Sequence, residues 1–187
     1  MRTWVNSRPK RIWPARYTLR AAAAQHLSPA AVFQHLNSAL LDQRKGERFL
    51  TAVYATFRAT PGGIAGRLCT RRPLPGPDPP RQQVGARGSL LGVLTDIALT
   101  DVRFRLAPGD TILLYTDGAT EARARRTAVP SNRPQFGEDA LAAAFAGCHD
   151  LDASGIITRL GEILAEHRGA WAGDDTALLA LRVPPRP

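Results

Sequence analysis

Apolar residues recur in the first part of the chain with the spacing of helices. Residues 15–25 (ARYTLRAAAAQ) predict a first helix, and Pro14 suits its first turn. Ser28-Pro29 predicts the start of a second helix, because serine caps helix N-termini and proline is tolerated at the first helical position. The apolar positions of this second helix lie on one side of it, at Val32, Leu36, Ala39 and Leu40.

A strand pattern follows these helices. Residues 48–58 (RFLTAVYATFR) are apolar on both faces, which predicts a strand in the middle of a packed sheet. The turn residues Pro61-Gly62-Gly63 come next, so we expect residues 64–69 to return antiparallel to that strand. Residues 70–88 are rich in proline and predict a loop.

The second half of the chain begins with two further strand patterns. Residues 102–106 alternate between apolar residues and arginine, as is typical of a half-exposed strand. After a tight turn at residues 107–110, residues 111–116 (TILLYT) predict a buried strand that runs directly into Asp117-Gly118.

Two helices and one strand complete the pattern. Residues 138–146 and 153–167 predict helices, and residues 123–135 predict a loop. Gly173-Asp174-Asp175 precedes a last strand at residues 176–183. The order of elements predicts an α+β fold with antiparallel sheet and helices on its outer faces.

Bulk composition narrows the class of protein. The 187 residues are 44% hydrophobic and 22% charged, which suits one globular domain with one core. No stretch is apolar enough to cross a bilayer, and the N-terminus has no secretory pattern, so we expect a cytoplasmic protein with no membrane partner. The two cysteines, Cys69 and Cys148, belong to no CxxC pair, which favours buried thiols over a zinc site or a disulfide framework.

The formal net charge of +9 raises nucleic acid as a partner. The arginines are scattered along the sequence, however, and no DNA-reading motif occurs. This pattern favours compositional bias, and nucleic-acid binding stays the weaker alternative.

Carboxylates at strand ends are the residues most able to carry chemistry. Asp117 follows one apolar strand, and Asp174-Asp175 precedes another. If these strand ends are neighbours, the like charges repel, and a divalent cation would relieve the repulsion. Oxygen ligands favour Mg²⁺ or Mn²⁺, and two such ions can activate water for attack on a phosphoryl group. Taken singly, each aspartate also suits a purely structural turn.

Several segments in order resemble the metal-dependent protein phosphatase (PPM) family, in its stage II sporulation protein E (SpoIIE)-like branch. The most specific segment is PGDTILLYTDGATEAR at residues 108–123. The others are ARYTLRAAA (15–23), ERFLTAVYATF (47–57), SLLGVL (89–94), FGEDAL (136–141) and GDDTALLALRV (173–183). The resemblance covers a domain at residues 15–183, with residues 1–14 as an irregular segment that does not match and residues 184–187 as a tail.

The resemblance implies an antiparallel β-sandwich flanked by helices, two Mn²⁺ or Mg²⁺ ions, and hydrolysis of phosphoserine or phosphothreonine on a partner protein. It implies that Asp117 and Asp174 are metal ligands, with no catalytic residue beyond such ligands. Gly118 would permit the tight turn behind Asp117, and Asp175 would act behind the ligands. In bacterial relatives the substrate is often an anti-sigma-factor antagonist, which makes a phosphorylated regulatory protein the expected partner.

Two features depart from the family pattern. The first 14 residues contain no acidic residue where the family has its first metal motif, so we expect a domain that is incomplete at its N-terminus. Residues 68–80 also lack the histidine that the family usually has there. These departures leave a second hypothesis open, a catalytically inactive domain that acts as a binding module. None of the four histidines falls in a ligand-like pair.

Overall fold

The structure is a computed structural model that describes residues 4–6, 13–25, 28–42, 51–70, 74–75, 83–84, 91–124, 134–168 and 176–185. The chain divides into two compact units. Unit 1 comprises Met1–Pro73 and Val84–Ala107, and unit 2 comprises Leu74–Gln83 and Pro108–Pro187.

In chain order the elements are β1 (Trp4–Asn6), α1 (Trp13–Gln25), α2 (Pro29–Asp42), β2 (Thr51–Thr60), β3 (Gly63–Thr70), β4 (Leu74–Pro75), β5 (Gln83–Val84), β6 (Val102–Leu106), β7 (Thr111–Tyr115), α3 (Asp117–Thr120), α4 (Glu138–Ala146), α5 (Ala153–Arg168) and β8 (Leu178–Arg182). The mixture of helices and antiparallel strands confirms the predicted α+β class. Among the helices that the structure describes, none is long and apolar enough to cross a bilayer.

Unit 1 contains a four-stranded antiparallel sheet in the order β1-β2-β3-β6. The β2–β3 hairpin closes through the turn at Pro61-Gly62, as the sequence predicts. Strand β2 lies between β1 and β3, which confirms its predicted place inside a sheet. At the end of the turn, Gly63 has φ of +130°, and a Cβ there would lie 2.0 Å from the Leu106 carbonyl oxygen, so only glycine fits.

Helices α1 and α2 cover one face of this sheet. Their apolar sides pack with β2, β3 and residues after β5 into one core, which consists of Leu19, Ala22, Val32, Phe33, Leu36, Ala52, Tyr54, Cys69, Leu91 and Ile97. This arrangement follows from the 3.6-residue period of the helices and the two-residue period of the strands.

The predicted cap of α2 is confirmed and is stronger than the sequence indicates. Ser28 Oγ accepts a hydrogen bond from the Ala31 amide at 3.3 Å, the usual reach of an N-cap side chain. Asp101, just before β6, also accepts from Ser28 Oγ at 2.6 Å and from the Ala30 amide at 2.7 Å. A carboxylate at a helix N-terminus is favourable, so Asp101 ties α2 to the sheet.

The expectation of an irregular segment over residues 1–14 needs correction at two places. Trp4–Asn6 forms β1, which pairs antiparallel with β2 so that Trp4 lies opposite Val53. Helix α1 also begins at Trp13. A three-residue strand is too short to show a periodic pattern, and its backbone bonds to β2 stabilise it instead.

Unit 2 is built on the antiparallel pair β7–β8, in which Leu113 lies opposite Ala180. The strand residues Thr111 to Leu114 are buried, as the sequence predicts. Helix α4 has its predicted bounds, and α5 is one residue longer than predicted. The core of the unit consists of Leu113, Ala119, Ala122, Leu141, Cys148, Ile156, Leu160 and Leu164.

Residues 91–94 form a turn that helix α2 holds in place. The buried Asn37 of α2 accepts from the Gly92 amide at 2.7 Å and donates to the Leu94 carbonyl at 2.8 Å. Predictions for residues 48–50, for most of 70–88 and for 125–133 fall outside the described residues.

Candidate metal centre

Asp117 stands where the sequence places it, two residues after the last residue of β7. The strand that precedes it is buried, whereas Asp117 itself is half-buried. Its Oδ1 accepts a hydrogen bond from the Gly118 amide at 3.1 Å. The carboxylate therefore stands at the end of a rigid strand with one oxygen engaged by the backbone.

The chain continues from Asp117 as the short helix α3, which corrects one expectation about Gly118. Gly118 is buried and helical, and the described glycines with positive φ are Gly63, Gly92, Gly109 and Gly137. The turn is closed by the Asp117 carbonyl, which accepts from the Glu121 amide at 2.8 Å and from Thr120 Oγ1 at 3.2 Å. The chain turns here through the hydrogen bonds of a short helix, and it does not need a glycine with positive φ.

The entrance to β8 lies against this turn. The Thr116 amide donates to the Ala177 carbonyl at 3.1 Å, and the Ala177 amide donates to Thr116 Oγ1 at 3.0 Å. Thr176 Oγ1 donates to the Gly118 carbonyl at 3.1 Å. Asp174 and Asp175 lie outside the described residues, so their separation from Asp117 stays a prediction.

The C-terminal end of α5 also holds the turn, through two residues that we name the α5 clamp, His167 and Arg168. Arg168 Nη2 donates to the Gly118 carbonyl and to Thr176 Oγ1. His167 Nε2 lies 3.1 Å from the Ala122 carbonyl oxygen, and its ring meets Phe136 edge-on at a centroid distance of 5.2 Å. A guanidinium makes stronger hydrogen bonds to a carbonyl than a neutral donor does, so Arg168 fixes the backbone beside Asp117.

Sequence reasoning missed this clamp. His167 belongs to no ligand-like histidine pair, and Arg168 lies in no motif of the sequence. The available indication is weak: basic residues are common in the last turn of a helix, where they interact with free carbonyls. The partners of Arg168 stand 50 and 8 residues away in sequence, which no local pattern reveals.

The donor atom at Asp117 suits an oxygen-preferring cation such as Mg²⁺ or Mn²⁺. The Gly118 carbonyl, in contrast, is engaged by Arg168 and Thr176. Within the part of the chain that the structure describes, no three or more His, Cys, Asp or Glu residues form a group that could hold a metal ion. Asp117 thus offers one carboxylate at a strand end, and the role of this residue as a ligand together with Asp174, which lies outside that part, stays a prediction.

The family model described as stage II sporulation protein E (SpoIIE) matches residues 12–184. The SiaA-PP2C domain of Pseudomonas aeruginosa superimposes with a TM-score of 0.68 at 19% identity, over 90% of this chain and 66% of that one. A fragment of the Bacillus subtilis cell fate determinant SpoIIE, with its PP2C phosphatase domain and part of its regulatory domain, gives a TM-score of 0.71 at 15% identity, over 93% of this chain and 49% of that one. No curated protein sequence matches the chain.

These similarities show that the fold is that of a PP2C-type phosphatase domain, as the sequence resemblance implies. The chain spans about half the length of the SpoIIE fragment and about two thirds of the SiaA domain.

Proposed function

The chain belongs to the SpoIIE family, and from that premise we propose that it is a metal-dependent phosphatase acting on phosphoserine or phosphothreonine of a partner protein. The observation that carries the proposal is the joining of the Asp117 turn to the entrance of β8. Three hydrogen bonds, from Thr116, Thr176 and Ala177, connect the two. Asp174 precedes Thr176 by two residues, a separation that an extended chain spans in about 7 Å.

Asp117 and Asp174 would hold the cation, which we propose to be Mn²⁺ or Mg²⁺. Once bound, such a cation supplies a Lewis acid and lowers the pKa of a coordinated water. The contribution of the chain is to present the carboxylates. The Gly118 amide orients Asp117, and Arg168 with Thr176 holds the backbone behind it. Asp175 would support the ligands from its place beside Asp174.

The proposed partner is a phosphorylated regulatory protein of the kind represented by anti-sigma-factor antagonists. Family membership supports a phosphoprotein substrate. We also propose a cytoplasmic location, because Cys69 and Cys148 are both free thiols, and reducing compartments preserve free thiols.

A second candidate function is a binding module without catalysis. It is favoured by one observation, the absence of any acidic residue among the first 14 residues, where the family has its first metal motif. Such a domain would retain the fold and lack turnover.

The test compares hydrolysis of a phosphoserine peptide by the chain with Mn²⁺ and with a chelator. We expect Mn²⁺-dependent turnover that falls by about a hundredfold or more in Asp117→Asn and in Asp174→Asn, since loss even of groups behind metal ligands costs 10–100-fold. Asp139→Asn, which removes an exposed carboxylate from α4, is the matched control and should retain activity. Equal turnover in Asp117→Asn and in the unmodified chain contradicts the metal role. A folded chain with no turnover under any metal supports the binding module.

A further inference from the structure

Four exposed arginines share one face of the sheet in unit 1, and we name Arg58, Arg67, Arg103 and Arg105 the arginine face. The strand register places them together. Arg67 of β3 lies directly opposite Arg103 of β6, and Ala65 lies between Arg58 on β2 and Arg105 on β6. Side chains that are opposite each other, or two apart along a strand, point to the same face of a sheet.

The arginine face continues the side of the sheet that α1 and α2 cover. Tyr54 and Cys69, which belong to the core beneath these helices, are paired with each other and have the same parity as Arg58 and Arg67. Neighbouring strands are about 4.8 Å apart and residues two apart on a strand about 7 Å, so the four side chains arise within roughly 12 Å of one another.

No described residue neutralises this charge. None of the four arginines forms an ion pair or a hydrogen bond with its side chain within the described ranges. Asp101 comes two residues before Arg103, and its two carboxylate oxygens are engaged by the N-terminus of α2. Like charges directly opposite each other destabilise a sheet, so the pair Arg67 and Arg103 opposes folding.

The opposite face makes this end of the sheet rigid. The rings of Phe57 and Phe104 meet edge-on at a centroid distance of 5.6 Å. A Cβ at Gly66 would lie 2.5 Å from the Phe104 ring and 2.7 Å from the Thr56 carbonyl oxygen, so the ring packs directly on the backbone of β3. The arginines therefore project from a fixed platform, which lowers the entropy lost on binding.

Protection of a sheet edge explains only part of this arrangement. Charged residues on edge strands prevent unwanted pairing, and β6 is an edge strand of the described sheet, which accounts for Arg103 and Arg105. Arg67 lies on β3, between Thr56 of β2 and Arg103 of β6, where no edge needs protection. A charge at this interior position calls for a different explanation.

We propose that the arginine face is a docking surface for an acidic segment of a partner protein. The planar guanidinium forks match carboxylates, and an anion between Arg67 and Arg103 would remove their repulsion. The two-residue spacing of Arg103 and Arg105 also matches alternate carboxylates of an extended segment. Among the described residues, Thr56 and Ala65 lie between the arginines, so this part of the face presents neither an aromatic side chain for stacking on bases nor a large apolar one for insertion into a bilayer. This inference does not rest on the proposed phosphatase activity.

The test titrates the full chain against a fluorescent peptide of alternating Glu and Ser and follows anisotropy at low and at physiological salt. The variant Arg67→Gln/Arg103→Gln removes the central pair. The matched control Arg20→Gln/Arg159→Gln removes two exposed arginines elsewhere and leaves the same net charge. We expect the first variant to weaken binding at least about tenfold and the control less than about threefold, with affinity falling as salt rises.

Folding is checked by urea unfolding of each variant. Removal of the like-charged pair should leave the midpoint equal to or above that of the unmodified chain. Equal loss of binding in the two variants would overturn the proposal, because binding would then depend on net charge alone. Absence of any binding to the peptide would overturn it as well. Tighter binding of a DNA duplex or of phosphatidylserine vesicles than of the peptide, with loss in Arg67→Gln/Arg103→Gln, would also overturn it.

Discussion

The side chain of Cys69 is 1% exposed and packs beneath α1 and α2. Burial raises the pKa of this thiol from 9.0 to about 11, because the thiolate would lose its hydration; the charge of Asp101 acts in the same direction, and a hydrogen bond with the Thr100 backbone acts against it. The thiol therefore stays protonated at neutral pH, which makes it a poor nucleophile and metal ligand.

This shift predicts a loss of stability in alkali. The unfolded chain ionises Cys69 near pH 9 while the folded chain keeps the proton, so the free energy of unfolding falls as the pH rises from about 9 to about 11. One pKa unit corresponds to about 1.4 kcal/mol, so the loss amounts to roughly 2–3 kcal/mol. Urea unfolding at pH 9 and at pH 11 measures this loss. Between these two pH values the free energy of unfolding of Cys69→Ala should fall by roughly 2–3 kcal/mol less than that of the unmodified chain. Equal losses would contradict the role of the Cys69 thiol.

Single residues of the candidate site differ in how far the sequence reveals them. Asp117 is found because an apolar strand runs straight into it, and the structure has it at that strand end. Arg168 is not found, because its role depends on where the end of α5 meets the turn after β7. That meeting is set by packing of Leu160 and Leu164 in the core of unit 2, which no local pattern describes.

At the scale of elements, α5 links the core of unit 2 to the Asp117 turn. Its buried side chains Ile156, Leu160 and Leu164 fix the position of the helix. Its last residue then donates to the Gly118 carbonyl and to Thr176. Because the packed helix holds Arg168 in place, the backbone beside Asp117 is held in place as well.

We therefore expect Arg168→Gln to lower the free energy of unfolding by about 1.5–3 kcal/mol, the range for hydrogen bonds to a charged group. Urea unfolding measures the change. The control is Arg159→Gln on the same helix, which breaks an exposed 3.2 Å ion pair with Glu162 and should cost less than about 1 kcal/mol. Equal effects of the two substitutions would contradict the proposed contribution of Arg168 to the free energy of unfolding.

Helix α2 holds the turn at residues 91–94 through Asn37, which is fully buried. Asn37→Ala leaves the Gly92 amide and the Leu94 carbonyl without their partner, so we expect a loss of about 1–3 kcal/mol and faster hydrogen exchange at Gly92. Ser38→Ala, on the exposed side of the same helix, should change stability by less than about 0.5 kcal/mol. Unchanged exchange at Gly92 in Asn37→Ala would contradict this role.

At the scale of the whole molecule, the sequence predicts elements better than their assembly. The α+β class, the β2–β3 hairpin and helices α4 and α5 follow from periodicity and turn residues, because these act within a few residues. The arginine face does not follow, although Arg103 and Arg105 are identified as exposed. Arg67 joins them only through the antiparallel register of β3 with β6, and the sequence shows these arginines as scattered charges.

The β2–β3 turn offers a practical consequence. A Cβ at Gly62 would have no heavy atom within 4 Å, so a cysteine introduced there has free space around it. The chain has only two cysteines, and both are buried. A maleimide dye would thus react selectively at position 62, four residues from Arg58 along the chain. The native fold thereby provides a place for a fluorescent reporter without prior removal of its own thiols.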